Sequence, residues 1–527
     1  MKRSGIPWAA WMAGIAMLTG IPFGAREATA SESIGEAEQV PRLMYNLDDT
    51  AVFAMDSVRE LGLTVPERMD AFVDSLSRTG VTDFFICVNA QRTTYNSEVW
   101  ESFWEGYDPA AGDDQPFFSG IDPQRPFERI WFKGARSLHE QGIDYCERFI
   151  SRAHAKGLSP WISLRMNDIH YPSSPTHPYH STFWRDHPEW RLENAALDYE
   201  RPEVRRHYMA LIKEVCQRYD MHGLELDFLR FAEYFRPGRE HEGAKLMTTF
   251  VREARRATQQ ASARRGSKVE LAVRVPTRPW ISRRKGLDAV AWAKEGLIDI
   301  IIVAPWFTST QSDVPVETWK GLLTRHPVPI AVCLESGITS GLPKRRTISV
   351  EQARGVALSA LHRGADAIYL FNMFGMPYIR WGKETYHEFL TEAGTYEILA
   401  AQPRRHALTI VDPWADGEPG NPKPLPFEGV RDVFRIHIGP QPRAGQSTHI
   451  ELEQAAGERP RVSLNDVLCT WARNEGGRQV YDVPHDAVNN GYNLVSLEAN
   501  ETVKINWIEI AVHPDKAAAA GGPAPNR

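Results

Sequence analysis

From Pro41 onward the chain alternates short apolar runs with longer amphipathic ones, eight times over. The apolar runs are 43–48, 82–89, 159–166, 222–231, 269–275, 299–304, 329–335 and 367–372. Each is short, rich in β-branched and aromatic residues, and bounded by turn formers, as a buried parallel strand should be. Between them, 3.6-residue periodicity predicts helices at 66–78, 143–156, 202–219, 244–263, 287–294, 318–324, 350–363 and 384–401. Pro66 suits a first helical turn, and Gly157 suits a helix stop. Eight strand–helix units in a row predict a (β/α)8 TIM barrel, with long insertions after strands 2 and 3. A doubly wound open sheet is the rival, but residues 46–53 lack its glycine-rich first turn.

After Pro403 the rhythm changes. Residues 412–426 are proline-rich. Short period-2 runs follow at 432–438, 449–452, 461–464, 494–497 and 504–512, separated by Gly, Pro and Asn. They predict a small C-terminal antiparallel β-sandwich over 404–514, with a disordered Ala/Gly/Pro-rich tail at 515–527. The barrel is expected over 41–403. Residues 1–30 read as a signal peptide: Lys2 and Arg3, an apolar run from Trp8 to Ile21, and Ala28-Thr29-Ala30 before the expected cut. Secreted or periplasmic protein without a lasting membrane span is therefore expected. Five scattered cysteines without metal or redox spacing are expected as buried apolar residues. A net charge of -6 turns the reading away from nucleic acid, and no cofactor is called for.

The fourth run, HGLELDFLRF (222–231), carries the strongest chemical signal. Period 2 puts Glu225 and Asp227 on one face of an otherwise apolar strand. Buried acids are costly unless paired, hydrogen-bonded or at work; a half-exposed strand with a solvated acidic face is the plainer reading. In a barrel, chemistry sits at the C-terminal ends of the strands. Those ends offer Asn46, Asp48 and Asp49; Asn89 and Arg92; Arg165, Asn167 and Asp168; Glu225, Asp227 and Arg230; Arg274; Trp306; Glu335; and Asn372. Rim salt bridges would account for some of these. Residues 166–199 add His170, His177, His180 and His187, at a spacing that fits no metal motif; no metal is expected, and His170 is read as a substrate-binding candidate. Both insertions are rich in aromatics, which are either sugar-stacking surfaces or the insertions' own core.

A strand of the form Gly–apolar–acid–apolar–Asp–aromatic–x–Arg in an exported eightfold barrel resembles the glycosyl-hydrolase-like 10 family of bacterial barrel proteins. The resemblance covers roughly 41–400 and implies a glycosidase-type barrel with Glu225 and Asp227 at the site. The strand is also similar to the chitinase motif DGxDxDxE, but Leu229 stands where that motif has its acid. It further resembles retaining glycosidases that use glutamates on strands 4 and 7. Glu335 in CLESG matches the second, whereas Leu224 replaces the asparagine that precedes the first. Glycoside hydrolysis needs two carboxyl groups across the scissile bond. The expected pair is Asp227 with Glu335, with Glu225 one layer deeper tuning its neighbour. Asp48, Asn89, Arg92, Arg165, Asn167, His170, Arg230, Arg274, Trp306 and Asn372 are expected to bind a poly- or oligosaccharide. A non-catalytic sugar-binding barrel and a metal-assisted hydrolase are the alternatives.

Overall fold

The computed structural model describes residues 42–48, 50–53, 64–305, 309–340, 346–373, 379–409 and 425–514. The expected signal peptide, the tail, most of the proline-rich stretch, Asp49 and Trp306 lie outside the described residues. Eight parallel strands close a barrel: β1 (Arg42–Leu47), β2 (Asp83–Cys87), β3 (Ser159–Arg165), β4 (Gly223–Asp227), β5 (Glu270–Pro276), β6 (Ile300–Ala304), β7 (Ile330–Glu335) and β8 (Ala367–Phe371). The order around the wall is β1-β8-β7-β6-β5-β4-β3-β2.

Alternation assigns the faces. On β4, Leu224 and Leu226 join the large core beneath the outer helices, while Glu225 and Asp227 take the other face, inside the barrel. All five β4 residues are buried, so the acids are not on a solvated face. A second, interior cluster fills the barrel, with Met44, Phe85, Trp161, Ala272, Ile302, Cys333, Tyr369 and Phe371 among its members. Gly223 belongs to this packing: a Cβ there would lie 2.2 Å from the Trp161 ring.

Most expected helices form within a few residues of their predicted ends. Thr64 and Ser349 close capping boxes on Val65–Leu76 and Val350–His362. The one long helix expected at 384–401 is two, Lys383–Glu392 and Tyr396–Ala401, separated by a turn at Gly394. The first insertion contains an amphipathic helix, Arg129–Glu140, that its polar–aromatic sequence disguised.

The C-terminal strands are β9 (Arg404–Ala407), β10 (Phe427–His437), β11 (Gln446–Ala456), β12 (Arg461–Leu464), β13 (Val467–Leu468), β14 (Thr470–Glu475), β15 (Arg478–Val483) and β16 (Tyr492–Pro514). All pairings among them are antiparallel. The two runs expected at 494–497 and 504–512 are one strand, β16, whose halves serve β12 and β11 respectively and whose pairing with β10 shifts register near Gly429. The sheet folds over its own apolar core, led by Phe434, Ile450, Leu452, Val495 and Ile508, to make the sandwich. Trp507 and Ala407 instead complete the barrel's core.

Candidate active site

The C-terminal mouth is built around Arg274 on β5. Its Nη2 donates to Asp227 Oδ2 at 2.6 Å, and its Nε lies 3.7 Å from Glu225 Oε1. The β4–β5 register sets Asp227 directly opposite Arg274. Asp227 Oδ1 accepts the backbone N–H groups of Leu229 and Arg230, both at 3.0 Å. The chain turn after β4 is thereby wrapped around this carboxylate. The Phe371 ring lies 3.9 Å from the Arg274 guanidinium carbon, so an aromatic face shares in compensating the buried cation.

Glu225 sits one inward position deeper and is fully buried. Tyr369, on β8 across the barrel, donates its hydroxyl to both carboxyl oxygens, at 3.1 and 2.9 Å. Burial, then the negative charge of Asp227, pushes the Glu225 carboxyl up to about 7, against the pull of Arg274. Burial and Glu225 likewise raise the Tyr369 phenol well above its ordinary value, so it remains a donor. Tyr369 escapes sequence reasoning because an aromatic inside an apolar strand looks like core.

Glu335 ends β7, and Asn372 Nδ2 donates to its Oε2 at 3.1 Å. Asn372 takes a left-handed backbone (φ 55°) just past β8, a conformation asparagine tolerates better than most residues. The Thr310 hydroxyl clasps the Glu335 backbone, accepting its N–H at 2.8 Å and donating to its carbonyl at 2.6 Å. Cys333, one inward position deeper, is buried among all three acids. Burial, then Glu335, Glu225 and Asp227, raises its thiol well above the ordinary range against the pull of Arg274.

A second polar chain runs from β1 to the β4 turn. Asp48 Oδ2 accepts from Arg165 Nη2 at 2.8 Å, and Arg165 Nη1 lies 3.4 Å from Asp168 Oδ2. Asp168 Oδ1 pairs with His170 Nδ1 at 2.7 Å, and His170 Nε2 with Arg230 Nη2 at 3.0 Å. An arginine can only donate, so Nε2 accepts and the ring proton sits on Nδ1. Burial opposes ionisation of Asp168, but the His170 ring and the Arg165 and Arg230 guanidiniums outweigh it and hold the carboxyl well below the usual range. Burial lowers His170, which Asp168 only partly offsets. Arg165, Arg230, Asp48, Asp168 and His170 thus form one connected strip.

Three expected ligand residues are spent on backbone instead. Asn89 bridges β2 to β3, donating to the Ala90 and Arg165 carbonyls and accepting the Arg165 N–H. Asn167 ties the Leu197 and Glu233 backbone together. Arg92 joins the two insertions through the carbonyls of His180 and Glu105. The remaining histidines are also committed: His177 stacks on Tyr171 and meets Glu128, His180 stacks on Trp184, and His187 stacks on Trp190. Among the described residues no group of three or more His, Cys, Asp or Glu side chains is arranged to hold a metal. The insertion aromatics pack together: Tyr95, Trp100, Phe103, Trp104, Phe118, Trp131, Phe132, Tyr179, Trp184 and Tyr199 are buried, and the other six lean on the same core. They are the insertions' own core.

No protein-family model and no curated protein matches the chain. Solved structures do. A cycloisomaltooligosaccharide glucanotransferase from Paenibacillus sp., complexed with cycloisomaltoheptaose, is 9% identical at TM-score 0.33, with 90% of this chain and 58% of that chain covered. A GH36 alpha-galactosidase from Geobacillus stearothermophilus, in complex with stachyose, is 10% identical at TM-score 0.37, with 90% and 56% covered. The glycoside hydrolase domain of PgaB (BpsB) from Bordetella bronchiseptica is 8% identical at TM-score 0.39, with 67% and 99% covered. The chain spans a little over half the length of the first two.

Proposed function

We propose that this protein is a glycoside hydrolase of the glycosyl-hydrolase-like 10 type, cleaving O-glycosidic bonds in a poly- or oligosaccharide. The observation that carries the reading is the pair of inward carboxylates, Asp227 and Glu335, ending β4 and β7 at the C-terminal mouth of one closed barrel. Asp227, ion-paired to Arg274 and hydrogen-bonded by two N–H groups, serves as nucleophile or base. Glu335, steadied by Asn372, then falls to the proton-donating role. Glu225 holds a proton behind Asp227 and keeps the local charge from accumulating. The Asp48–Arg165–Asp168–His170–Arg230 strip supplies hydrogen bonds to sugar hydroxyls.

One observation favours sugar binding without turnover as a second reading: Glu225 and Asp227 are both buried and both have internal partners. A metal-assisted reaction finds no such support, since the insertion histidines are committed to stacking and to single carboxylates. The protein is proposed to be exported, with mature chain starting near Ser31. Among the described residues no helix is long and apolar enough to cross a membrane.

The test is reducing-end release from a panel of cellulose, xylan, starch, chitin and pectin oligosaccharides. Asp227→Asn and Glu335→Gln should each lower turnover by at least ~10²-fold. Glu335→Gln should leave the melting temperature nearly unchanged, whereas Asp227→Asn, which takes the carboxylate from the buried Arg274 guanidinium, should lower it. Near-parental turnover of Glu335→Gln would sink the strand 4–strand 7 pairing. Binding without release by the parent would establish the second reading.

A further inference from the structure

The inward row of β1 reads Met44, Asn46, Asp48. Met44 packs in the barrel interior, and Asp48 meets Arg165 at the mouth. Asn46, between them, is 1% exposed, and among the described residues neither its Nδ2 nor its Oδ1 has a hydrogen-bond partner. Its register neighbours explain the isolation. Phe85 stands opposite on β2, and the pairing of Tyr45 with Leu370 brings Phe371 alongside on β8. Neither ring offers a polar atom. A buried amide with donor and acceptor both unmet works against folding. Nothing in β1 demands one, because Met44 fills the equivalent place one layer down.

The place matters for the site. Phe371 covers the Arg274 guanidinium that holds Asp227, and the next residue, Asn372, holds Glu335. Asn46 therefore lies on the inward face of the barrel that also carries both carboxylates.

We infer that Asn46 is a specificity-determining residue that binds adjacent ring hydroxyls of the sugar unit held against Asp227 and Glu335. The inference rests on the glycoside-hydrolase reading above. A pair of neighbouring hydroxyls offers one donor and one acceptor at once, which an amide matches and a carboxylate or ammonium does not. The ligand class is a neutral polyhydroxylated ring, and a deoxy sugar is rejected because it leaves the amide unmet.

The experiment compares the parent with Asn46→Leu in two assays. The first is the melting temperature without sugar. Removing an amide kept for a ligand leaves it unchanged or raises it. A drop of several degrees with activity intact would make Asn46 a structural residue satisfied by ordered water, and would overturn the assignment. The second is kcat/KM on the oligosaccharide that the panel identifies, where Asn46→Leu should lose at least ~10²-fold. Calorimetric binding of the same oligosaccharides to Asp227→Asn, with and without Asn46→Leu, separates this inference from the hydrolase reading. A sugar that binds but is never cleaved by the parent ends the hydrolase reading. It leaves Asn46 to be judged by whether the leucine variant loses that binding. Binding of no sugar at all overturns both.

Discussion

Glu225 shows how one residue can be placed against its own charge. Burial, with Asp227 two residues on, lifts its carboxyl from the usual 4.5 to about 7. The folded protein therefore keeps a proton there over a pH range in which the unfolded chain has already released it. A group raised in this way contributes stability fully below its unfolded value and loses it as pH rises through about 7. Glu225→Gln mimics the protonated carboxyl at every pH and keeps a hydrogen-bond acceptor for Tyr369. Its melting temperature should climb relative to the parent between about pH 5 and pH 8, by the equivalent of about 1–3 kcal/mol at the alkaline end. Thermal melts of both proteins across that range decide the matter. A constant difference would mean that the buried proton resides elsewhere. The neighbouring Arg274 sets the limit on this logic. It satisfies Asp227 and stands near Glu225, so its loss would leave two buried acids without their cation, a far larger cost than neutralising one of them.

At the scale of elements, β4 was legible in the sequence because a period of two leaves no freedom. Once Leu224 and Leu226 face the helices, Glu225 and Asp227 must face the barrel axis. The closing glutamate of β7 was legible only as a polar strand end matched by the resemblance, since β7 is apolar throughout before it. What the letters could not show was where a polar side chain at a strand end sends its hydrogen bonds. Asn89 and Asn167 look like Asn372 in sequence, yet the first two brace loops and the third holds Glu335. The aromatic insertions left two readings open in sequence, a sugar-stacking surface or a core of their own. Rings that could stack on a ligand also stack on one another, and insertions of that length need a core before they can present anything. Gly223 carries a prediction of its own. The opening glycine of the β4 motif is where Trp161 packs across from β3, with 2.2 Å between its ring and the place a methyl group would take. Gly223→Ala should cost about 1–3 kcal/mol by overpacking the barrel floor, and Trp161→Leu in the same protein should recover part of it. Chemical denaturation of the single and double variants measures both. If the alanine variant alone matched the parent, the glycine would owe its place to something other than the indole.

Across the whole molecule, the sandwich is bound to the barrel through buried polar contacts as well as through Trp507. Asp313 accepts from Arg363 on the barrel side at 2.8 Å, and from Arg435 and Tyr492 on the sandwich side at 2.6 and 2.7 Å. Gln352 reaches Glu509 at 3.0 Å, and a Cβ on Gly355 would lie 2.1 Å from the Arg405 carbonyl oxygen. Two histidines are sealed into this seam. His406 is fully buried beside Ser359, and burial, with Arg404 and His437, lowers it well below its usual value. His437 is lowered to about 3 by burial, with Arg363 and His362 adding to the effect. The sign is opposite to that of Glu225. The unfolded chain takes up protons at these rings near 6.5 and the folded protein does not, so their contribution is present above 6.5 and is lost as pH falls toward about 3. His207 and His180, lowered to about 3 and about 4 chiefly by burial, act the same way within the second insertion and the helix it packs against. These four rings outweigh the raised carboxyl of Glu225, and the parent should therefore lose melting temperature steadily from about pH 7 down to pH 5. Glu225→Gln should steepen that fall. His437→Gln, which keeps an acceptor for the Gly439 N–H but cannot titrate, should flatten it. Because the barrel core includes sandwich residues, each melt should be a single calorimetric transition. A separate early transition that moved with pH while a later one stood still would mean that the seam opens before the barrel yields, and the two units would then have to be treated as independently stable.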